Sequence, residues 1–181
     1  MKDLSEAIIS RINQEELSED SLENFSRYQI TEYVRYKNIS GFSTKYDKFI
    51  ENWTREKKRE ITSFLRECIK DNGIVLGVFY QNLLKGFSCL PNRFYGDNNE
   101  YIELSYIHVS SEIRNKGIGK KLFLKTIEYA KDMGAKKIYI SAHPAVETQA
   151  FYDSVGCIPA KKIIDEIYKR EPLDIQLEYE I

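Results

Sequence analysis

Histidine and cysteine are scarce in this chain of 181 residues: His108 and His143 are its two histidines, and Cys68, Cys89 and Cys157 its three cysteines. The cysteines lie far apart, are odd in number and form no C-x-x-C pair, which argues against a disulfide framework and a cysteine zinc site. With so few histidines as well, no metal is expected. Long hydrophobic runs are also missing. The longest, Ile74–Tyr80 (IVLGVFY), falls far short of the ~20 residues that span a bilayer, so no membrane role is expected. The opening MKDLSEAIIS carries Asp3 and Glu6 and has no apolar h-region, so it does not read as a secretory signal. Together these absences predict a cytoplasmic protein.

A surplus of positive charge is missing too. Lys+Arg is 27 and Asp+Glu is 28, a formal net charge of −1. Proteins that coat polyanions carry a basic excess, so no nucleic-acid partner is expected, although a local basic patch stays open. What is present is globular material, 42% hydrophobic and 30% charged. At roughly 150 residues per domain the length predicts one domain.

After a short strand at 7–12, residues 13–72 read as mostly helical. The clearest helix is 54–70, with Thr54 as its cap and Ile61, Phe64, Leu65, Cys68 and Ile69 at helical spacing. Asp71-Asn72-Gly73 is a stop and turn. Two β-rich runs follow, 73–80 and 85–90, around a Gln81-Asn82 turn that predicts a hairpin. Residues 91–100 read as a polar loop and 101–110 as one long strand. A strong helix spans 117–132, with Ile118, Leu122, Phe123, Ile127 and Ala130 on one face and Gly134 as its stop. A buried strand at 137–142, a short helix at 147–154 and a closing strand at 174–181 complete an α/β domain with a mixed sheet.

Chemistry concentrates in Ile102–Gly119 (IELSYIHVSSEIRNKGIG), where a strand runs through a polar loop into the start of a long helix. The first amides of a helix lack internal partners, and the helix dipole adds partial positive charge there. Gly117 and Gly119 remove side chains that would keep a diphosphate from those amides, and Arg114, Lys116, Lys120 and Lys121 surround them with cations. Plainer readings stand beside this one: the glycines as turn residues, the lysines as a solvated face, or the patch as a weak nucleic-acid site. A P-loop is excluded because Lys121 follows Gly119-Lys120 and no glycine stands five before Gly119. The dinucleotide fingerprint is excluded by Leu122, where its third glycine belongs.

Arg114-x-x-Gly117-x-Gly119, after a strand ending Ile107-His108-Val109, resembles motif A of the GNAT N-acetyltransferase superfamily, [RQ]-x-x-G-x-[GA]. Downstream, Ala150-Phe151-Tyr152-Asp153-Ser154-Val155-Gly156-Cys157 resembles the family's F-Y-x-x-x-G-F motif B. The resemblance implies a single GNAT domain over 1–181. Its mixed, mostly antiparallel sheet is flanked by helices and splays into a V between the strands at 101–110 and 137–142. Residues 101–157 form its acetyl-CoA core and 13–72 a helical acceptor side, where Tyr28, Tyr33, Tyr36 and Trp53 are pocket candidates, or plain packing.

The implied activity is transfer of an acetyl group from acetyl-CoA, the cosubstrate, directly to a primary amine of a small molecule or peptide, with no acyl-enzyme. The implied pyrophosphate site is Arg114, Asn115, Lys116, Gly117, Ile118, Gly119 and Lys120, and backbone near Ile107, His108 and Val109 takes the pantetheine arm and the thioester carbonyl. Glu103 is the candidate base, with His108 a weaker one. Without a bulge between them these two face opposite sides of the strand. Tyr152 is the candidate acid for the departing thiolate and touches the cosubstrate there. Both roles compete with ordinary strand and helix positions.

The pattern has departures. Asn115 stands where a glycine is common, Ser111 where a proline is frequent and Cys157 where phenylalanine is usual. Ala145 stands where an asparagine often bonds the cofactor arm, leaving Thr148 or Gln149 to substitute. The rival reading from another class is a non-catalytic acyl-CoA sensor or assembly module on the same fold. Monomer and homodimer are both compatible with either reading.

Overall fold

The computed structural model describes residues 7–181, so the first six residues, read above for a leader, lie outside it. Strand β1 (Ile8–Arg11) is followed by a single 3₁₀ turn and irregular chain, then by strands β2 (Gln29–Asn38) and β3 (Gly41–Glu51). Helix α1 (Arg55–Lys70) starts where Thr54 accepts the Lys57 amide through its side chain at 3.2 Å, as its cap role predicts. The helical reading of 13–72 is therefore correct for α1 alone. Residues 29–51 are a hairpin instead: Ile30, Thr31 and Tyr33 oppose Ile50, Phe49 and Tyr46, and Val34, Tyr36, Phe42 and Thr44 add further β-branched and aromatic residues that suit a pleated surface.

Strands β4 (Ile74–Tyr80) and β5 (Leu83–Leu90) form the expected hairpin. Gln81 and Asn82 both take positive φ, 52° and 58°, as a tight two-residue hairpin turn requires. The β4 run is continuously apolar because both of its faces are covered. Ile74, Leu76, Val78 and Tyr80 join one core cluster, and Val75 joins another packed by Ile61, Leu65 and Cys68 of α1.

The long strand expected at 101–110 is two strands, β7 (Tyr101–Glu103) and β8 (Tyr106–Val109), in different sheets. Between them Leu104 donates its amide to the Tyr139 carbonyl at 2.9 Å, and Ser105 donates to Cys89 at 3.0 Å, on the opposite sheet. The loop read at 91–100 contains a further short strand, β6 (Phe94–Tyr95), paired to β7.

Helix α2 (Ile118–Asp132), strand β9 (Lys137–Ala142), helix α3 (Val146–Ser154) and closing strand β11 (Ile175–Glu180) lie where the sequence places them. The short β10 (Ile158–Pro159) and α4 (Asp165–Tyr168) were not anticipated. One sheet runs β1-β4-β5-β8, all antiparallel; the other runs β10-β11-β9-β7-β6, with β7 and β9 parallel. Helices α2 and α3 cover the shared face through Leu122, Phe123, Ala130 and Tyr152. Thr126 of α2 donates to Leu122 and meets Ser88 of β5 at 2.7 Å, a buried hydroxyl pair that fixes the helix on the first sheet. The β2–β3 hairpin docks on the β9–α3 turn through the Arg35 amide on the Pro144 carbonyl (2.8 Å), a Val34–Ala145 bridge and an Arg35–Asp153 ion pair. No helix among the described residues is long and apolar enough to cross a membrane.

Glu178 of β11 is almost fully buried, at 1% exposure. Burial pushes its pKa up, but the Tyr101 hydroxyl (2.8 Å), Lys137 (3.0 Å) and the Lys161 amide (3.1 Å) donate to it and hold it below the usual glutamate value. The lowered native pKa makes this contribution present above the unfolded value and lost as pH falls through it. Glu178→Gln is expected to cost about 1.5–3 kcal/mol at pH 7 in urea denaturation. The difference from wild type should shrink below the ordinary glutamate range; a cost independent of pH would assign the effect to packing.

Candidate active site

Where the two sheets part, β8 has a partner on one side only. Ser110 donates to Lys85 at 2.8 Å, and alternation along an antiparallel ladder then pairs His108 with Phe87 in the same sense. The backbone groups of Ile107 and Val109 consequently point the other way, into the gap between β8 and β9. Ile107 and Val109 thus offer backbone to the gap, whereas His108 spends its own on β5. The side chains divide in the opposite sense: Ile107 and Val109 pack toward α2, and Tyr106 and His108 toward α1 and Trp53. The break between β7 and β8 shifts the alternation, so Tyr101 and Glu103 lie on the same side as Tyr106 and His108, not opposite.

The start of α2 lies at the mouth of the gap. Gly117 takes φ +77° as the capping residue and Asn115 takes φ +60°, curling the chain into the helix. The Lys121 amide bonds the Gly117 carbonyl at 3.1 Å, so the amides of Ile118, Gly119 and Lys120 precede the helical ladder and face outward. The two glycines serve different ends. Gly117 supplies a left-handed conformation, and a Cβ there would meet nothing within 4 Å, which leaves the space before it open. Gly119 supplies clearance, because a Cβ there would stand 3.2 Å from the Phe151 ring of α3. Lys116, Lys120 and Lys121 are exposed around this turn. Arg114 is not one of its mobile cations: its guanidinium donates to the Val109 carbonyl at 2.8 Å and the Tyr28 carbonyl at 3.3 Å, strapping β8 to the segment before β2.

Across the gap from α2, Glu103 is buried with both carboxylate oxygens 2.7 Å from Nη2 of Arg170. His108 packs edge-on against Trp53 at 4.9 Å and tilted against Phe87 at 5.7 Å. Burial first, then the positive charges of Arg27 and Arg114, hold its pKa well below the ordinary histidine value, so its imidazole is neutral. Tyr152 is buried on α3 beside Phe151 and Phe123. Burial, Cys157 and Asp174 all raise its pKa, so the phenol keeps its proton at physiological pH.

Several groups here lie outside the motifs. Buried Arg27 holds Glu51 at 3.1 Å and Gln29 at 2.7 Å. His143 takes the Ala145 amide on Nδ1 at 3.2 Å and turns Nε2 toward Glu51 at 3.9 Å. Ser141 of β9 donates to Asp174 at 3.2 Å and accepts from Gln176 at 3.0 Å. Gln149, the substitute named for the missing asparagine, spends its amide on the Ala142 (3.2 Å) and His143 (2.8 Å) carbonyls. These residues come from distant parts of the chain, and no local spacing marks them. Four buried side-chain polar atoms have no hydrogen-bond partner among the described residues: Ser105 Oγ, where the chain passes from β7 to β8, Gln149 Oε1 on α3, Gln176 Oε1 on β11 and Arg27 Nε beside Glu51. Buried polar atoms seldom stay unpaired.

The model of the Acetyltransferase (GNAT) family matches residues 24–157. Among solved structures, a Bacillus anthracis protein described as a streptothricin acetyltransferase, in complex with acetyl coenzyme A, superposes with a TM-score of 0.70 at 19% identity, over 97% of this chain and 98% of that one. Nourseothricin acetyltransferase gives 0.66 at 14% identity, over 96% and 98%. An acetyltransferase of the GNAT family from Staphylococcus aureus Mu50 gives 0.61 at 21%, over 96% and 98%. At these identities the structures share the fold with this chain. No curated protein matches it.

The two-glycine analysis is testable by stability alone. Gly117→Ala is expected to cost about 1–2 kcal/mol in urea denaturation, because alanine resists left-handed φ. Gly117→Asn should cost less, since asparagine tolerates that conformation. Equal costs would show that something other than φ sets the requirement at 117.

Proposed function

Because the chain belongs to the acetyltransferase (GNAT) family, we propose that it transfers the acetyl group of acetyl-CoA directly to a primary amine of a small molecule or peptide within a ternary complex. The observation that carries this reading is the change of partner between β7 and β8, which leaves the backbone of Ile107 and Val109 facing away from β5, together with the outward amides at the start of α2. The open space in front of Gly117 fits a diphosphate on the amides of residues 114–119, with Lys116 and Lys120 as the nearby charges. The outward backbone of Ile107 and Val109 suits the amide-bearing pantetheine arm and donates toward the thioester carbonyl. Arg114 acts through Val109 by holding β8 in place, and Asn115 through the turn it forms.

Acetyl-CoA supplies a thioester whose carbonyl carbon the amine attacks, which leaves two proton transfers to the protein. Tyr152 is a phenol kept protonated by its surroundings, suited to donate to the departing sulfur. The acceptor's ammonium has a reference pKa of about 10.4 and needs a base at neutral pH. Glu103 is the base that the motif resemblance names, and its carboxylate is paired to Arg170. The side chains of Trp53, His108 and Tyr106 and the inner end of the β2–β3 hairpin wall the acceptor's approach.

At about 100 times its dissociation constant, acetyl-CoA is expected to raise the melting temperature by roughly 5–10 °C, beyond ADP and an unrelated polyanion. Gly119→Glu should remove the shift, since a side chain at 119 runs into Phe151 and displaces the first turn of α2 with its amides. A retained shift would exclude the helix start as the anion site. Tyr152→Phe should leave that shift intact and lower kcat on the order of 100-fold; an unchanged kcat would remove Tyr152 from the chemistry. Cofactor binding with no thiol released by any amine would instead identify a sensor.

A further inference from the structure

Glu103 and Asp174 face the acceptor side of the second sheet, as does Glu178, which Tyr101, Lys137 and the Lys161 amide already hold; the surroundings of the first two differ. Glu103 has a guanidinium against both oxygens, so both already accept a charge-assisted hydrogen bond. Asp174 has no such counter-ion among the described residues. It immediately precedes β11, whose first residue, Ile175, pairs with Ala142 at the end of β9, where the two sheets have already parted. We propose that Asp174, not Glu103, takes the proton from the incoming ammonium group; the assignment rests on the acetyl-transfer reading above.

Its neighbours support that role from each element packed against it. From β9, the Ser141 hydroxyl donates to Oδ2 at 3.2 Å, and Gln176 anchors Ser141 (3.0 Å) and the Asp174 carbonyl (3.2 Å), fixing the carboxylate's direction. Glu171 from the preceding segment and Glu51 from β3 bring negative charge, the latter already engaged by Arg27. The charge of Asp174 is felt at Tyr152 of α3, where it adds to burial and Cys157 in raising the phenol's pKa. Burial, then Glu171, with Glu51 adding and Ser141 opposing, raises the Asp174 pKa to about 6. The group is therefore ionised yet basic at neutral pH. The two histidines are poorer bases: His143 has its Nδ1 lone pair occupied by the Ala145 amide, and His108 is desolvated.

The step balances without a further reactant. Asp174 accepts one proton from the ammonium, and the freed nitrogen pair forms the N–C bond. The C–S bond breaks, its electrons leave on sulfur, and Tyr152 protonates the thiolate. The second proton lost by nitrogen reprotonates Tyr152, and Asp174 releases its own to solvent, so one proton is released per amide formed.

The test compares kcat–pH profiles of wild type, Asp174→Asn and Glu103→Gln, by thiol release at saturating acetyl-CoA, with spermidine, L-lysine and a lysine-containing peptide as acceptors. The amine's own titration is common to all three proteins, so ratios of profiles isolate the enzyme group. The ratio of wild type to Asp174→Asn should climb as pH rises to about 6 and level off near 100-fold or more. Glu103→Gln should keep the wild-type limb near pH 6. A flat ratio near one for Asp174→Asn, or a limb erased by Glu103→Gln instead, overturns the assignment and leaves acetyl transfer standing. No thiol release from wild type with any amine overturns both.

Stability provides the control. An aspartate whose native pKa is raised destabilises the fold once ionised, so Asp174→Asn should melt at or above wild type at pH 8. Should that variant fail to fold, the ¹³C carboxyl titration of Asp174 in wild type decides. A midpoint near 6 that coincides with the kinetic limb supports the assignment, and one near the ordinary ~3.9 overturns it.

Discussion

A backbone amide can belong to only one sheet at a time, and the architecture of the site follows from where the chain between Tyr101 and Val109 changes partner. Up to Glu103 it pairs with β9 in parallel; from Tyr106 it pairs with β5 in antiparallel. Leu104 and Ser105 bond in opposite directions across that change, to Tyr139 and to Cys89. Beyond it no strand pairing joins β8 and β9 among the described residues, so the backbone of Ile107 and Val109 faces the gap. Helix α2, fixed to the first sheet by Ser88 and Thr126, brings its uncapped amides to the mouth of that gap.

Charge around the gap is organised in the same unequal way. On the acceptor face Arg170 holds Glu103 and Arg27 holds Glu51, each across a short contact. Asp174 is held by a hydroxyl instead. The guanidinium partners of Glu103 and Glu51 and the hydroxyl partner of Asp174, with Glu171 and Glu51 beside it, give three chemically alike acids different surroundings, and those around Asp174 raise its affinity for a proton.

The parts that could be read from the sequence are those whose cause is local. Thr54 as a cap, the Gln81-Asn82 turn, the apolar stripe of α2 and the Arg114–Gly119 spacing each depend on a few neighbouring residues, and the structure bears out those elements. The β2–β3 hairpin was missed, although Ile30 to Tyr36 and Phe42 to Ile50 carry β-forming residues, because many of its apolar side chains stay exposed and give no clean alternation. The split at 103–106 is invisible locally because both halves are good strand sequence. The partners of the site are long-range: Arg170 meets Glu103 across 67 positions and Asp174 meets Ser141 across 33, and no spacing rule ties such pairs. Arg114 illustrates a further limit. Its place in the motif suggested a cation for phosphate, and only the fold reveals that it is spent on the Val109 carbonyl.

The clearance at Gly119 has one more consequence. Its missing side chain lets the first turn of α2 rest against Phe151, whose chain neighbour is Tyr152. The end of the site suited to phosphates and the end suited to chemistry therefore meet at a single ring. A side chain added at 119 would press on that ring, so crowding at the start of α2 would reach α3, and the residue beside Tyr152, by packing alone.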